Sequence, residues 1–277
     1  MPALLALLSS VLWGTADFLG GTLSRRRAVL AVVAASQVCG FVVMVVVALA
    51  VRAWTPDLAW LPWAVGASLS GFTGLVLFYG ALARGTMGIV SPIASLGVLV
   101  PLAVGLLGGE VPAPLQYLGI VLAVVGIVLA SGPELSGQAS LQPVLMALGS
   151  ALMFGISLTC IAKGSATSVL MTMTGMRATS TLIALVLLLA VRSSGGLVVR
   201  DVPMLVAIGA FDVLANVSYG AASTLGLLAV VAVLGSLYPV VTVLLAWWVH
   251  HERLRPVQYA GVATALLGVA AISAGGA

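Results

Sequence analysis

The sequence predicts an all-α integral membrane protein with ten transmembrane helices, arranged as two inverted five-helix repeats. Three observations carry that expectation. Hydrophobic residues make up 62% of the chain and charged residues 6%, whereas soluble globular proteins carry about 25% charged residues. Apolar segments of the length that crosses a bilayer core about 30 Å thick recur between short polar joints. Finally, EVPAPLQYLG at residues 110–119 is echoed by ERLRPVQYAG at 252–261. Each copy runs Glu, a Pro-containing link, Gln-Tyr-x-Gly and then a long hydrophobic stretch.

Charges and turn residues mark off the spans in order. The first covers residues 3–22 and stops at Ser24-Arg25-Arg26-Arg27. Its opening, MPALLALLSSVLWGTADFLGG, lacks a basic leader and contains Asp17, so it reads as a retained span and not a cleaved signal. The second covers 28–51 and ends at Arg52. After the Thr55-Pro56-Asp57 turn the third runs over 58–83 to Arg84-Gly85, the fourth over 87–108 and the fifth over 114–131. The polar joint SGPELSGQASLQ then divides the chain near its middle. The second half supplies spans at 143–162, 169–191, 202–224, 228–249 and 256–274. No charge separates Asp212 from His250, a stretch too long for one crossing helix, so the boundary is set at Gly226. The resulting units are residues 1–132, a linker at 133–141, and residues 142–277.

The repeat extends well beyond its most visible phrase. Residues 30–52 align without a gap to 170–192, and both stretches end Leu-Ala-Val-Arg. Tyr79-Gly80-Ala81 corresponds to Tyr219-Gly220-Ala221, and QYLGIVLAVVGIVLAS at 116–131 to QYAGVATALLGVAAIS at 258–273. Matches of Leu and Val mean little in apolar sequence. The Gln-Tyr-x-Gly, Tyr-Gly-Ala and Arg matches, in one order, mark an internal duplication. Five spans is an odd number, so the second copy enters the membrane from the opposite face. Such inverted repeats recur in secondary transporters, with the substrate path near the midplane between the halves.

Other function classes find no support in the residues. The net charge of +4 comes from basic residues scattered at span ends, which is not a nucleic-acid-binding stripe. Cys39 and Cys160 lie inside apolar segments and read as inert thiols. His250 and His251 are adjacent and not spaced for metal binding, and neither HExxH nor a GxxxxGK[ST] phosphate loop is present. No cofactor, metal or enzymatic activity is expected. The partners are a small-molecule substrate, protons and the lipid bilayer, with monomer and homodimer both open. A non-coupled channel or a membrane scaffold is the alternative to a transporter.

Charged groups near the bilayer centre cost about 2.5–3.5 kcal/mol on insertion scales, so mid-span charges are the functional candidates. They are Asp17, Arg177 and Asp212. Asp212 shares a helix face with Asn216, Tyr219 and Ser223, a polar stripe suited either to a substrate or proton site or to interhelical hydrogen bonding. Asp17 has Trp13 four residues before it and Gly21 four after; it serves the pathway or reaches the headgroups. Arg177 aligns with Gln37 in the repeat, and binds a substrate carboxylate or pairs with Asp17 or Asp212. The acid left without Arg177 is then the proton carrier. Pro92, Pro101 and Pro239 interrupt the fourth and ninth spans, and Tyr238 beside Pro239 joins the same path. Gly119-x-x-x-Ala123 and Gly261-x-x-x-Ala265 form small-residue faces for close helix packing, with dimerisation as the alternative.

Trp13-Gly14 in the first span, the Glu110 and Glu252 junctions, and the paired Gln-Tyr-x-Gly helices resemble two EamA-type units of the drug/metabolite transporter superfamily. The resemblance covers essentially the whole chain. It implies a ten-helix bundle working by alternating access, often as an exporter of amino acids, other metabolites or toxic compounds. Phe154-Gly155 stands where the second copy would repeat Trp13-Gly14, so the Trp is not shared by both halves. The two junction glutamates read as interfacial markers of the repeat. The expected location is the plasma membrane, multi-pass, as in a bacterial inner membrane. Arginines concentrate in loops after odd-numbered spans, which places both termini outside, whereas the resemblance implies cytoplasmic termini; the orientation stays open.

Overall fold

The computed structural model describes residues 1–84, 90, 93–130, 141–191, 195–250 and 255–275. Among these residues every regular element is helical. The start of the fourth expected span with Pro92, most of the linker at 133–141, Arg192, and the second junction with Glu252 lie outside the described residues. The helices are α1 (Pro2–Ser24), α2 (Val29–Ala50), α3 (Leu61–Arg84), α4 (Leu99–Leu107, preceded by a 3-10 turn at Leu96–Val98), α5 (Pro114–Ala130), α6 (Leu141–Ser165), α7 (Val169–Val191), α8 (Val202–Leu225), α9 (Leu228–Gly235), α10 (Tyr238–His250) and α11 (Pro256–Gly275).

Six of them, α1, α2, α3, α6, α7 and α8, are long and apolar enough to cross a membrane, and shorter apolar helices cover Ile93–Leu107, Pro114–Leu129, Leu228–Thr242 and Pro256–Ile272. The shorter helices have physical causes. Expected span 228–249 divides into α9 and α10 at Ser236–Leu237, because Pro239 is the second residue of α10 and has no N–H to continue the ladder from α9. At the end of α4, Gly109 adopts φ +92°, a left-handed turn that a side chain would oppose.

Helix faces are sorted as lipid solvent requires. Leu4, Leu8, Val11, Val42, Val46, Leu49, Leu182 and Leu189 are exposed, whereas Ser9, Ser36, Gln37, Ser68, Ser150, Ser157, Arg177, Ser180 and Asn216 are buried. Polar groups have no water to meet in the hydrocarbon layer, so they turn inward and bond to one another or to helix carbonyls. Ser68 and Ser180 share a hydrogen bond of 2.8 Å between α3 and α7, and Ser157 of α6 donates to the Ala67 carbonyl of α3 at 2.9 Å.

The helix pairs cross between the two halves of the sequence. α1 packs on α8, α3 on α6, α2 on α7, α4 on α9 and α5 on α11. Exchange of equivalent helices leaves this set of pairs unchanged. α5 and α11 run antiparallel: a side-chain carbon at Gly119 would press on Gly268 and Ile272, one at Gly126 on Ala265, and one at Gly268 on Ala123. Gly119, Ala123 and Ala265 of the small-residue faces therefore pack between these two helices within one chain, where close approach gains dispersion contacts. The same correspondence holds at the central helices. Gly14 abuts the Tyr238 carbonyl and Val241, while Gly155 abuts the Gly97 carbonyl and Val100, at one common spacing along the chain.

Glu110 has a larger role than marking an interface. Its two carboxylate oxygens accept hydrogen bonds from the backbone N–H groups of Leu228 and Ala229, both at 2.8 Å. The N-cap of α9 is Leu227, which offers no side-chain acceptor. The acid thus satisfies two otherwise orphaned donors and sits at the positive end of the helix dipole. All eight residues of α9 are buried, which makes that capping the more necessary.

Candidate functional site

The site forms where α1, α2, α3, α6, α7, α8 and the α9–α10 break converge. Each helix contributes what its inward face carries at mid-length: Trp13 and Asp17 from α1, Gln37 from α2, Phe72 from α3, Phe154 and Ser157 from α6, Arg177 from α7, Asp212 and Asn216 from α8, then Ser236 and Tyr238 flanking the break. They enclose a cavity of about 80 Å³. One water needs about 10–15 Å³ measured this way, so the space holds several waters or a small organic group.

Its electrostatic centre is the pair between Arg177 and Asp212, with Nη1 and Oδ2 at 2.8 Å. The same Nη1 donates to Oε1 of Gln37, the residue at the equivalent place in the other half. Asp212 Oδ1 accepts from Trp13 Nε1 at 3.2 Å and from Asn216 Nδ2 at 2.9 Å. The spacing of four residues that puts Asn216 on the Asp212 face is what makes the last bond possible. Arg177 is 1% exposed and Asp212 16%. A pair this deep survives because each charge has both a counter-charge and further hydrogen bonds.

Asp17 stands apart from that network. Its recorded partner is the hydroxyl of Tyr79, which donates to Oδ1 at 3.3 Å, and among the described residues it joins no ion pair. Tyr79 reaches it by lying over Gly20, where an added Cβ would run into the Tyr79 ring and hydroxyl. Of the alternatives left open for Arg177, the geometry selects Asp212 as its partner. Tyr219 stays out of the cavity: it is fully buried behind Trp13, their ring centroids 5.5 Å apart.

The structure therefore brings seven of the eight expected residues to one cavity, Trp13, Asp17, Gln37, Arg177, Asp212, Asn216 and Tyr238, with Tyr219 supporting one wall. Sequence reasoning missed Tyr79 as a site residue, although its Tyr-Gly-Ala motif was visible as a repeat marker. It also did not name Phe154 as a site residue, although Phe154 lines the same cavity as its equivalent Trp13. The helices hold no cluster of His, Cys, Asp or Glu suited to a metal among the described residues.

The profile of the EamA-like transporter family matches residues 1–132 and 141–274. A solved crystal structure shares the fold with a TM-score of 0.77, at 19% sequence identity, over 98% of this chain and 95% of that one. No curated protein matches the sequence. A family match over both halves, on a chain with six helices among the described residues long and apolar enough to cross a membrane, settles the class: the chain is a multi-pass membrane protein of the EamA-like transporter family.

Proposed function

We propose that this protein is a proton-coupled secondary transporter, working as an exporter of small organic molecules by alternating access between two inverted five-helix repeats. The repeats are residues 1–132 and 142–277, joined by the linker at 133–141, and the setting is the plasma membrane of a bacterium. The single observation that carries the proposal is a carboxylate, Asp17, that joins no ion pair among the described residues, beside a neutralised Arg177–Asp212 pair in a cavity walled by both halves. The exchange-symmetric helix pairs and the antiparallel α5–α11 contact support the inverted arrangement. Export follows the usual direction of the family that the sequence resembles.

Roles follow from the bonds. Asp17 carries the proton, because its charge changes without breaking an ion pair. The groups facing it are Tyr79 from α3, Tyr238 from α10, Asp212 from α8 and Arg177 from α7. Arg177, Asp212, Gln37, Asn216 and Trp13 tie α7, α8, α2 and α1 together across the halves. Trp13 and Tyr238 offer the substrate its walls. Reconstituted protein, a panel of radiolabelled amino acids, nucleosides and aromatic cations, and an imposed pH gradient test the reading. Saturable flux that depends on the gradient is expected. Linear, unsaturable flux would make the protein a channel, and no flux from folded protein would make it a scaffold.

A further inference from the structure

We propose that the cavity takes an amphipathic organic cation in preference to an amino acid, its monovalent cationic head on Asp17 and its apolar or aromatic body against Trp13, Phe72, Phe154 and Tyr238. This rests on the transporter reading and names the substrate class of that same site.

Arg177 would be the natural dock for a carboxylate, yet its charge is already matched by Asp212. Nη1 is taken by Asp212 and Gln37, while Nε and Nη2 are enclosed in protein with no contact with open space. The whole residue is 1% exposed. An incoming anion would reach those two nitrogens only by displacing the protein packed around them. Two of the cavity hydroxyls are already engaged. Ser157 is committed to the Ala67 carbonyl, and Ser180 to Ser68 and the Met176 carbonyl. Asp212 has three donors on its two oxygens, and its charge is matched.

Among the described residues lining the cavity, Asp17 is the remaining charge. It is partly exposed, lines the cavity and holds one weak hydrogen bond from Tyr79. When ionised it leaves the cavity one negative charge in excess. A cation answers that charge, and the aromatic walls add the attraction of ring faces for a positive group. Trp13 is fixed for the purpose by its bond to Asp212 and by Tyr219 behind it. A zwitterion would satisfy Asp17 with its ammonium but bring its carboxylate into a cavity whose guanidinium is already paired with Asp212, so part of the cost of burying that carboxylate stays unmet. Proton and cation then compete for one carboxylate, with Tyr79, Tyr238, Asp212 and Arg177 as the titratable or charged groups facing it, so substrate entry releases the proton.

Phenethylamine, phenylalanine and 2-phenylethanol share one ring and differ only in the groups at issue. Equilibrium binding of each to purified protein in micelles, and flux of each in proteoliposomes with a pH gradient, separate the possibilities. Phenethylamine is expected to bind at least tenfold more tightly than the other two, and to weaken as pH falls. Asp17→Asn should abolish the preference, while Asp17→Glu, with native elution and helicity, should keep it. Phenylalanine or 2-phenylethanol binding as well as the amine, no binding by any of the three, or an Asp17→Asn variant that retains the preference, would overturn the inference. Phenylalanine flux driven by the gradient would sink the substrate class and leave the transporter standing. Phenethylamine bound on Asp17 but never moved would uphold the class and remove the transporter.

Discussion

Breaking the Arg177–Asp212 pair from either side should have unequal consequences that follow from the bonds each partner keeps. In Arg177→Gln, Asp212 retains Trp13 and Asn216 as donors. In Asp212→Asn, Arg177 keeps Gln37 and at most one neutral amide oxygen as acceptors but loses its counter-charge, with its other nitrogens enclosed and unpartnered. Removing one member of a buried pair costs about 3–5 kcal/mol. Arg177→Gln should fall near the lower end, at about 3 kcal/mol, because hydrogen bonds to a charged group are each worth about 1.5–3 kcal/mol and two survive. Asp212→Asn should fall near the upper end, at about 5 kcal/mol, since the uncompensated guanidinium is 1% exposed. The double variant, Arg177→Gln with Asp212→Asn, buries no charge and should lie within about 1–2 kcal/mol of the wild type. Unfolding in mixed micelles titrated with dodecyl sulfate, followed by far-ultraviolet circular dichroism, gives the three values. Equal costs for the two single variants, or a double variant as damaged as their sum, would refute the reasoning.

Other changes test other joints of the structure. Gly20→Ala places a carbon against the Tyr79 ring and hydroxyl, so it should displace Tyr79 from Asp17 and lower transport at least as far as Tyr79→Phe does, with the elution profile unchanged. Glu110→Gln loses one acceptor and the charge at the start of α9, and should cost about 1 kcal/mol in the same unfolding assay. Gly126→Ala and Gly268→Ala wedge α5 from α11 at Ala265 and Ala123; each should cost about 1–3 kcal/mol, as overpacking does. In a variant lacking Cys39 and Cys160, single cysteines at the exposed Trp54 and Val111 should label from one membrane face, and one at the exposed Val199 from the other; labelling of all three from one face would remove the inverted arrangement.

Long helices were legible in the sequence because apolar length and terminal charges decide them locally. α1, α2 and α8 begin and end within two residues of the expected spans 3–22, 28–51 and 202–224. The division of the ninth span into α9 and α10 was signalled by Pro239, but a proline does not say whether a helix kinks or stops. Mid-span charge found Asp17, Arg177 and Asp212, since burying an ionised group needs a reason that sequence alone exposes. Their pairing was not legible. Asp212 lies 35 positions beyond Arg177 in the chain, and which acid faces the guanidinium depends on helix rotation set by Gly14, Gly40 and Gly209 at close crossings. Tyr79 was hidden for the same reason: its hydroxyl meets Asp17 only because Gly20 lets the ring pass. Glu110 was read as a marker because its partner is not a side chain but two backbone N–H groups 118 and 119 residues away.

Asp17 bears the weight of the transport mechanism, and one measurement addresses it directly: flux of a transported cation in proteoliposomes across a series of imposed pH gradients, for the wild type and for Asp17→Asn. The wild-type rate is expected to rise with the gradient, and the variant's residual rate to be indifferent to it. A variant whose flux still follows the gradient would place the proton elsewhere and contradict the assignment of Asp17.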